Sequence, residues 1–285
     1  MKLSVINTGF FKLDGGAMFG VVPKSLWYRT NPCDKNNLCT WSMRSLLIEQ
    51  GNQLILIDTG IGNKQSEKFF SHYYLHGDDN LEKSINSAGY SIDEITDVFL
   101  THLHFDHCGG AVKWVNSSKT LLKPVFKNAI YWSNENHWNW ATKPNPREKA
   151  SFLTENILPI KESGQLKFIK KTTNLNRNVF ENIDIFFADG HTESQMIPII
   201  SYKNKRIAFM ADLLPSIGHI PLPYVMGYDT RPLLTLKEKY EFLNLAESND
   251  FILYLEHDPV NECCKLHKTE KGIRLKSTHK LEEFL

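Results

Sequence analysis

The stretch His102-Leu103-His104-Phe105-Asp106-His107 is the most informative part of the sequence for the fold and for the chemistry of its side chains. Three imidazoles and a carboxylate follow the short apolar run at 97–100, which we predict to be a strand. Because side chains alternate along an extended backbone, His102 and His104 project to the same side and can share one metal ion. Asp106 and His107 come after the turn and can address a second metal ion nearby. A solvated polar loop is the alternative, but burying these groups without partners would be costly.

Composition excludes several classes of protein. The 285 residues include 33 basic and 32 acidic side chains, and the formal net charge of +1 argues against non-specific nucleic-acid binding. No apolar run approaches the roughly 20 residues of a membrane helix, so we expect no membrane partner. The 5 cysteines show no CxxC spacing and predict free thiols. With an N-terminus that resembles a strand rather than a signal peptide, they favour a cytoplasmic location.

Further ligand candidates follow three other apolar runs. His191 comes shortly after the run at 183–188, Asp212 directly follows the run at 206–211, and His257 follows the run at 251–255. Taken singly, each is more typical of a cap or a surface residue. Their joint occurrence at strand ends is the layout of an α/β active site.

The remaining patterns predict a mixed α/β architecture in a single domain over residues 1–285. A hairpin is expected from the runs at 45–49 and 53–58, and helices are expected at 81–89 and 236–247. The glycine-containing segment 10–41 is expected to be a long loop. A helix is expected after Gly109-Gly110, carrying Val112, Trp114 and Val115.

These motifs resemble a known family. The series Leu56-Ile57-Asp58-Thr59-Gly60, the histidine-rich run, Gly190-His191-Thr192, Asp212 and His257 is similar to the five motifs of the metallo-β-lactamase superfamily. The resemblance covers about residues 45–260. It implies an α/β fold, a four-layered αβ/βα sandwich with mixed sheets, and a site with two divalent metal ions. Zinc suits such ligands, and Mn, Fe or Co are alternatives.

The resemblance also assigns a role to each motif residue. It implies that His102, His104 and His191 hold the first metal ion, that Asp106, His107 and His257 hold the second, and that Asp212 bridges both. Asp58 is implied to position a ligand, as carboxylates commonly orient imidazoles bound to metal ions.

Departures from the superfamily patterns narrow the subgroup. The commonest β-lactamases carry Cys where Asp212 stands, and flavodiiron oxidoreductases carry Glu where His104 stands. The stretch Asp14–Lys24, with Trp27 and Asp212-Leu213-Leu214-Pro215, is similar to the quorum-quenching N-acyl-homoserine lactonase branch and to its methyl parathion hydrolase relatives. Lactonases of the best-known type place Tyr where Pro215 stands, so either another group polarises the substrate or the substrate differs.

The resemblance predicts a dinuclear metal-dependent hydrolase that opens a small-molecule lactone or ester with a metal-bridging hydroxide. Asp106 is the expected catalytic residue, passing a proton to the leaving alkoxide. Met18 and Phe19 either line the substrate pocket or pack in the core, and His219 either contacts substrate or lies at the surface. A homodimer through the N-terminal loop is a further expectation. The alternatives are a phosphotriesterase or phosphodiesterase with the same site, and a metal-binding protein without turnover.

Overall fold

The computed structural model describes residues 1–285, which form two compact units. The first unit contains Met1–Gly9 and Met43–Lys171, and the second contains Phe10–Ser42 and Thr172–Leu285. The chain therefore crosses from one unit to the other at three places. The expectation of a single domain over 1–285 stays a prediction.

Both α-helices and β-strands are distributed along the whole chain. The strands are β1 (Lys2–Asp14), β2 (Leu38–Gln50), β3 (Gln53–Ile57), β4 (Asp97–Phe99), β5 (Val112–Trp114), β6 (Leu122–Pro124), β7 (Ile130–Ser133), β8 (Leu166–Phe168), β9 (Leu175–Phe180), β10 (Ile183–Ala188), β11 (Gln195–Tyr202), β12 (Lys205–Phe209), β13 (Ile252–Tyr254), β14 (Cys263–Thr269) and β15 (Gly272–His279). The α-helices are α1 (Gly15–Phe19), α2 (Lys24–Trp27), α3 (Glu67–Phe70), α4 (Leu81–Ser87), α5 (Phe105–Cys108), α6 (Glu135–Thr142), α7 (Thr154–Glu162) and α8 (Pro232–Ser248). Short 3-10 turns occupy Ile92–Glu94, Gly109–Ala111, Ala211–Leu213, Ile217–His219 and Leu281–Phe284.

A six-stranded sheet in the order β1-β2-β3-β4-β7-β8 underlies the first unit. The predicted hairpin is confirmed, since β2 and β3 pair antiparallel from Gln50↔Gln53 to Leu46↔Ile57. Strand β4 runs parallel to β3 and to β7. Because the carboxyl ends of parallel strands meet at one edge of a sheet, Asp58 after β3 and the histidine-rich run after β4 lie at the same edge.

A seven-stranded sheet in the order β15-β14-β13-β12-β11-β10-β9 underlies the second unit. Strands β12 and β13 are parallel, while β10 and β12 each pair antiparallel with β11. Strands β10, β12 and β13 therefore point the same way, and their carboxyl ends lie at one edge. His191, Asp212 and His257 follow those three ends. The predicted α/β class with mixed sheets is confirmed.

The expectation of a long loop over 10–41 is wrong. Strand β1 continues to Asp14, and α1, α2 and the start of β2 interrupt the rest of the segment, so that only 20–23 and 28–37 lie outside helices and strands. The glycines that suggested a loop serve close packing instead. A Cβ at Gly15 would come within 2.3 Å of the Trp27 ring, so only glycine fits at that contact.

The expected helix over 112–115 is also wrong, because Val112–Trp114 forms a strand, β5, that pairs antiparallel with β6. Burial follows the period of a strand here: Val112 is buried and Lys113 is exposed. The helix α8, the longest with 17 residues, was anticipated from 236 to 247 and extends further at both ends. Neither α8 nor any other helix has the length and apolar character needed to cross a membrane.

Candidate metal centre

The histidine-rich run lies between the end of β4 and helix α5. His102 is fully buried and His104 nearly so, and Nε2 of His102 lies 3.1 Å from Nδ1 of His104. The backbone of the turn is fixed on both sides. The Leu103 N–H donates to Nε2 of His137 at 2.8 Å, and the Cys108 N–H donates to the His104 carbonyl at 3.0 Å. The two imidazoles are thereby held with ring nitrogens facing each other.

Asp58 organises the other side of this run. Its carboxylate accepts hydrogen bonds from the Thr101 N–H at 2.8 Å, from the Thr101 hydroxyl at 2.6 Å and from Nδ1 of His107 at 3.0 Å. The Thr101 hydroxyl donates its proton to Asp58, and its oxygen can therefore accept a hydrogen bond from Nδ1 of His102 at 3.1 Å. Nε2 of His102 and Nε2 of His107 then carry the lone pairs that metal binding requires.

Glu148 performs the same task for His104. Its Oε1 lies 3.4 Å from Nε2 of His104, and its Oε2 accepts from the Trp140 indole and from the Asn145 amide, each at 2.6 Å. A proton on Nε2 of His104 leaves the lone pair on Nδ1, the atom that faces Nε2 of His102. Two lone pairs that face each other at 3.1 Å repel unless a cation lies between them. Asp106 completes this set, with Oδ2 at 3.7 Å from Nε2 of His107.

The second unit carries a set built around one carboxylate. Oδ2 of Asp212 lies 3.0 Å from Nε2 of His191, and Oδ1 lies 3.0 Å from Nε2 of His257. The opposite nitrogen of each ring faces another oxygen. Nδ1 of His191 lies 2.9 Å from Asp229, and Nδ1 of His257 donates to the Ser42 carbonyl at 2.8 Å. All these side chains are buried.

The donor atoms of both sets fit divalent cations. Two atoms that each bind one Zn²⁺ at about 2.0–2.1 Å lie about 3 Å apart, which is the spacing found on both oxygens of Asp212 and between His102 and His104. Burial alone would lower the pKa of His191, but the carboxylates of Asp212 and Asp229 raise it to about 10. The negative charges of these two carboxylates favour a proton on the His191 ring, and they equally favour a metal cation in place of that proton.

Residues at and near the start of α8 form hydrogen bonds with the loop that contains His191. The Glu238 carboxylate accepts from the Asp189 N–H at 2.8 Å and from the Gly190 N–H at 2.9 Å. The Arg231 guanidinium donates to the Asp189 carbonyl at 2.5 Å. A Cβ on Gly190 would lie 2.4 Å from the Thr235 backbone nitrogen, so this approach requires glycine.

Backbone strain accompanies two of the candidate residues. Asp58 has a φ of 57°, and Ala211, directly before Asp212, has a φ of 40°. An alanine in the left-handed region is uncommon and costs of order 1–3 kcal/mol. The surrounding packing holds both residues in these conformations, which fix the directions of the two carboxylates.

The three expected substrate contacts are buried and pack together. His219 is 1% exposed, so it does not lie at the surface. Its Nε2 lies 2.9 Å from the Met18 carbonyl, its Nδ1 lies 2.9 Å from the Ser216 hydroxyl, and its ring stacks on Phe19 at 4.4 Å. Burial lowers the pKa of His219 to about 3, so this ring is neutral. Pro215 lines a tight recess in the second unit together with Asp212 and His219.

Four residues beside the candidate ligands are missing from the sequence-based prediction: Ser42, Thr101, Glu148 and Asp229. Thr101 is adjacent to the histidine-rich run and could have been proposed on that ground. The other three had no signal. Glu148 lies in a polar, tryptophan-containing segment, Asp229 is an isolated acid, and Ser42 contributes only its backbone carbonyl.

Comparisons with known proteins identify the family of the chain. The family model of the metallo-beta-lactamase superfamily matches residues 44–257. A curated N-acyl homoserine lactonase of Bacillus thuringiensis is 26% identical over 105 residues, which cover 33% of this chain and 41% of the lactonase. The chain thus matches about two fifths of the length of that relative.

Solved structures resemble the chain over nearly its whole length. A probable metal-dependent hydrolase from Staphylococcus aureus superposes with a TM-score of 0.86 at 25% identity, covering 97% of this chain and 95% of that one. AidC, a dizinc quorum-quenching lactonase solved with a product, gives a TM-score of 0.78 at 21% identity, covering 99% and 97%. The fold expected from the motif resemblance is confirmed, and the expected hydrolase class agrees with these neighbours.

Proposed function

The chain belongs to the metallo-beta-lactamase superfamily, and we propose that it is a metal-dependent hydrolase that holds two divalent cations and opens a lactone or related ester ring. An N-acyl-homoserine lactone is the leading substrate. Partial similarity to a Bacillus thuringiensis lactonase supports this choice, as does the structural likeness to AidC, which was solved with its product N-hexanoyl-homoserine.

The motif resemblance supplies the ligand set that we propose. His102, His104 and His191 are proposed to hold one cation, Asp106, His107 and His257 the other, with Asp212 shared between them. A set of imidazoles and carboxylates suits Zn²⁺, and it also accepts Mn, Fe or Co. Asp58, Thr101, Glu148, Asp229 and the Ser42 carbonyl are proposed to orient the imidazoles.

One observation carries this assignment: each of the five imidazoles turns one ring nitrogen toward an oxygen. The separations are 3.1 Å for His102, 3.4 Å for His104, 3.0 Å for His107, 2.9 Å for His191 and 2.8 Å for His257. Such an oxygen fixes the tautomer and the ring orientation of a metal-binding histidine. Because all five buried rings share this arrangement, it supports a common role as metal ligands over five histidines that are each buried for packing alone.

When bound, the two cations supply Lewis-acid polarisation of the ester carbonyl and lower the pKa of water toward neutrality. Asp106 is proposed to accept the proton of the attacking water and to pass it to the leaving alkoxide oxygen. Its place in the first turn of α5, with Oδ2 3.7 Å from Nε2 of His107, holds the carboxylate beside the ligand set. Asp58 keeps His107 in the tautomer that Asp106 faces.

A substrate panel on the metal-loaded protein tests the proposal. Homoserine lactones of increasing acyl length are compared with aryl phosphotriesters and bis-nitrophenyl phosphate, with proton release followed in a pH-stat. We expect lactone opening with one proton released per turnover, and its loss in Asp212→Ala. Turnover of the phosphorus esters alone would make the chain a phosphotriesterase or phosphodiesterase. Bound metal without turnover of any substrate would contradict a catalytic role.

A further inference from the structure

A second cavity lies in the second unit, at a place that the proposed reaction does not use. It encloses about 490 Å³ between α8, the tip of the β14–β15 hairpin and the segment 220–223. Binding sites for small organic molecules commonly have volumes of about 300–1,000 Å³. None of the candidate metal ligands lines it.

Apolar side chains form the floor and one wall of this cavity. Ile220, Leu243 and Ile273 are buried at its base, while Leu222 is half-buried and Tyr240 is 58% exposed at its side. An apolar body entering between these side chains would remove hydrocarbon surface from water, which stabilises a complex by about 25 cal/mol per Å².

Three cationic side chains line the same cavity, against a single acid. Lys268, Lys271 and Arg274 come from the hairpin, and Glu270 is the acidic residue among the lining side chains. The three cationic groups form no ion pair in the structure. The Arg274 guanidinium donates only to its neighbouring backbone, the Ile273 carbonyl, at 2.7 Å. The charge complementary to this rim is negative.

The buried side chain of Lys239 holds the segment 220–223, which lines the cavity opposite the hairpin. Nζ of Lys239 donates to the carbonyls of Pro221 at 3.0 Å, Leu222 at 3.3 Å and Tyr224 at 2.9 Å. Lys239 is 1% exposed. Three hydrogen bonds from one buried amine fix this stretch of backbone, so the cavity is formed before a ligand arrives, which lowers the cost of binding.

We propose that this cavity binds an amphipathic organic anion, with an apolar chain against Ile220, Leu243 and Ile273 and a carboxylate or phosphate head on Arg274 and Lys271. The guanidinium supplies the paired donors that such heads accept. This site is separate from the candidate metal centre, and the inference does not depend on which ester the enzyme opens.

Isothermal titration calorimetry on the zinc-loaded protein tests this site with four probes: octanoate, octyl phosphate, acetate and 1-octanol. We expect octanoate or octyl phosphate to bind at least about tenfold more tightly than either acetate or 1-octanol, because only they satisfy both the apolar floor and the cationic rim. The stronger of the two identifies the head group.

Matched variants locate the binding. Arg274→Gln is expected to weaken the preferred probe about tenfold, whereas Lys276→Gln, which removes an equal charge from the same strand outside the cavity, should not. Tyr240→Ser should weaken binding, and Leu233→Ser, at an 81% exposed position of the same helix, should not. All four positions are at least partly exposed, so the fold is expected to tolerate the changes.

Three results would overturn the proposal. One is the absence of binding up to about 10 mM, an affinity weaker than any specific site of this size would give. Another is an equal effect of Arg274→Gln and Lys276→Gln on the affinity for the preferred probe. That result would mean that the anion interacts with the general surface charge or binds at the metal centre. The third is a dimer in analytical ultracentrifugation that Tyr240→Ser dissociates, which would make a second copy the occupant.

Discussion

The two sets of candidate ligands are built in opposite ways. In the first unit, four residues within one six-residue stretch follow a single strand, and their geometry depends on one tight turn. In the second unit, His191, Asp212 and His257 come from three separate strand ends, and each of the two imidazoles faces one oxygen of the Asp212 carboxylate. The local set depends on chain stiffness, and the dispersed set depends on the register of an entire sheet.

This difference has a consequence for robustness. A turn of six residues keeps its ligands together even when distant packing changes, because few backbone dihedrals separate them. The dispersed set needs β10, β12 and β13 in correct alignment, and it is reinforced accordingly by Glu238, Arg231 and the Asp229 contact. The second set is therefore the one in which single substitutions should have the wider effects.

The largest effect is expected when the carboxylate that we propose to be shared by two cations is compared with a residue that we propose to bind only one of them. Asp212→Ala should reduce the bound metal from two ions toward none and lower activity by more than about a hundredfold, the upper range for residues that only orient ligands. His104→Ala should leave close to one ion bound. Metal content is measured by inductively coupled plasma mass spectrometry after gel filtration. Equal metal content in the two variants would contradict a bridging role for Asp212.

A smaller effect is expected from the carboxylates that orient the rings. Asp229→Ala and Glu148→Ala should each weaken metal affinity about 10–100-fold. The effect should be larger for Asp229, which lies 2.9 Å from its histidine, than for Glu148 at 3.4 Å. Competition with a zinc-binding dye measures both. Asp250→Ala is the control, because that carboxylate is exposed and pairs only with Lys265. An effect of the control as large as that of Asp229→Ala would rule out an orienting role.

The smallest effect concerns the buried lysine of each unit. Burial lowers the pKa of Lys239 to about 7 and that of Lys64 to about 8, from 10.5. Between those values and 10.5 the unfolded chain binds more protons than the folded one, so the free energy of unfolding rises with pH. Lys239 should contribute about 2 kcal/mol of this rise between about pH 7.5 and about pH 9, and Lys64 about two thirds as much.

Urea denaturation of the wild type, Lys239→Met and Lys64→Met at the two pH values measures these contributions. Each variant should lose its own share of the rise, and the comparison between pH values removes any constant loss of stability caused by the substitution. A rise that is identical in all three proteins would show that other groups carry the pH dependence.

Sequence patterns were sufficient for the local set and only partly sufficient for the dispersed one. The histidine-rich run can be recognised because its residues are neighbours in the chain, and the strands β3, β4 and β10–β13 each contain an apolar run. The sequence names Met18, Phe19 and His219 as separate candidates for substrate contact, which stays a prediction. Their burial, and the contacts of His219 with the Met18 carbonyl and the Phe19 ring, join residues about 200 positions apart, as their numbers show. Neither pattern nor propensity reports such contacts.

Several of the elements that differ from expectation are short, namely α1, α2 and β5. Three residues, as in β5, are too few for a period of two to be distinguished from a helical turn, and only the partner strand β6 decides the outcome. Glu148 and Asp229 were missed for a related reason. A single acid looks like a surface residue until the fold brings an imidazole to it, and here the partners are 44 and 38 positions away.

The crossing of the chain between the two units affects how the protein is made. Residues 10–42 leave the ribosome before the rest of their unit, which begins at Thr172. At ordinary rates of translation the delay is on the order of ten seconds. During that interval Phe11 and Trp41, which are buried in the finished protein, lack their ring contacts with His257 and His219. The nascent segment is therefore the part of this chain that most needs a chaperone, and slowing translation would prolong that need.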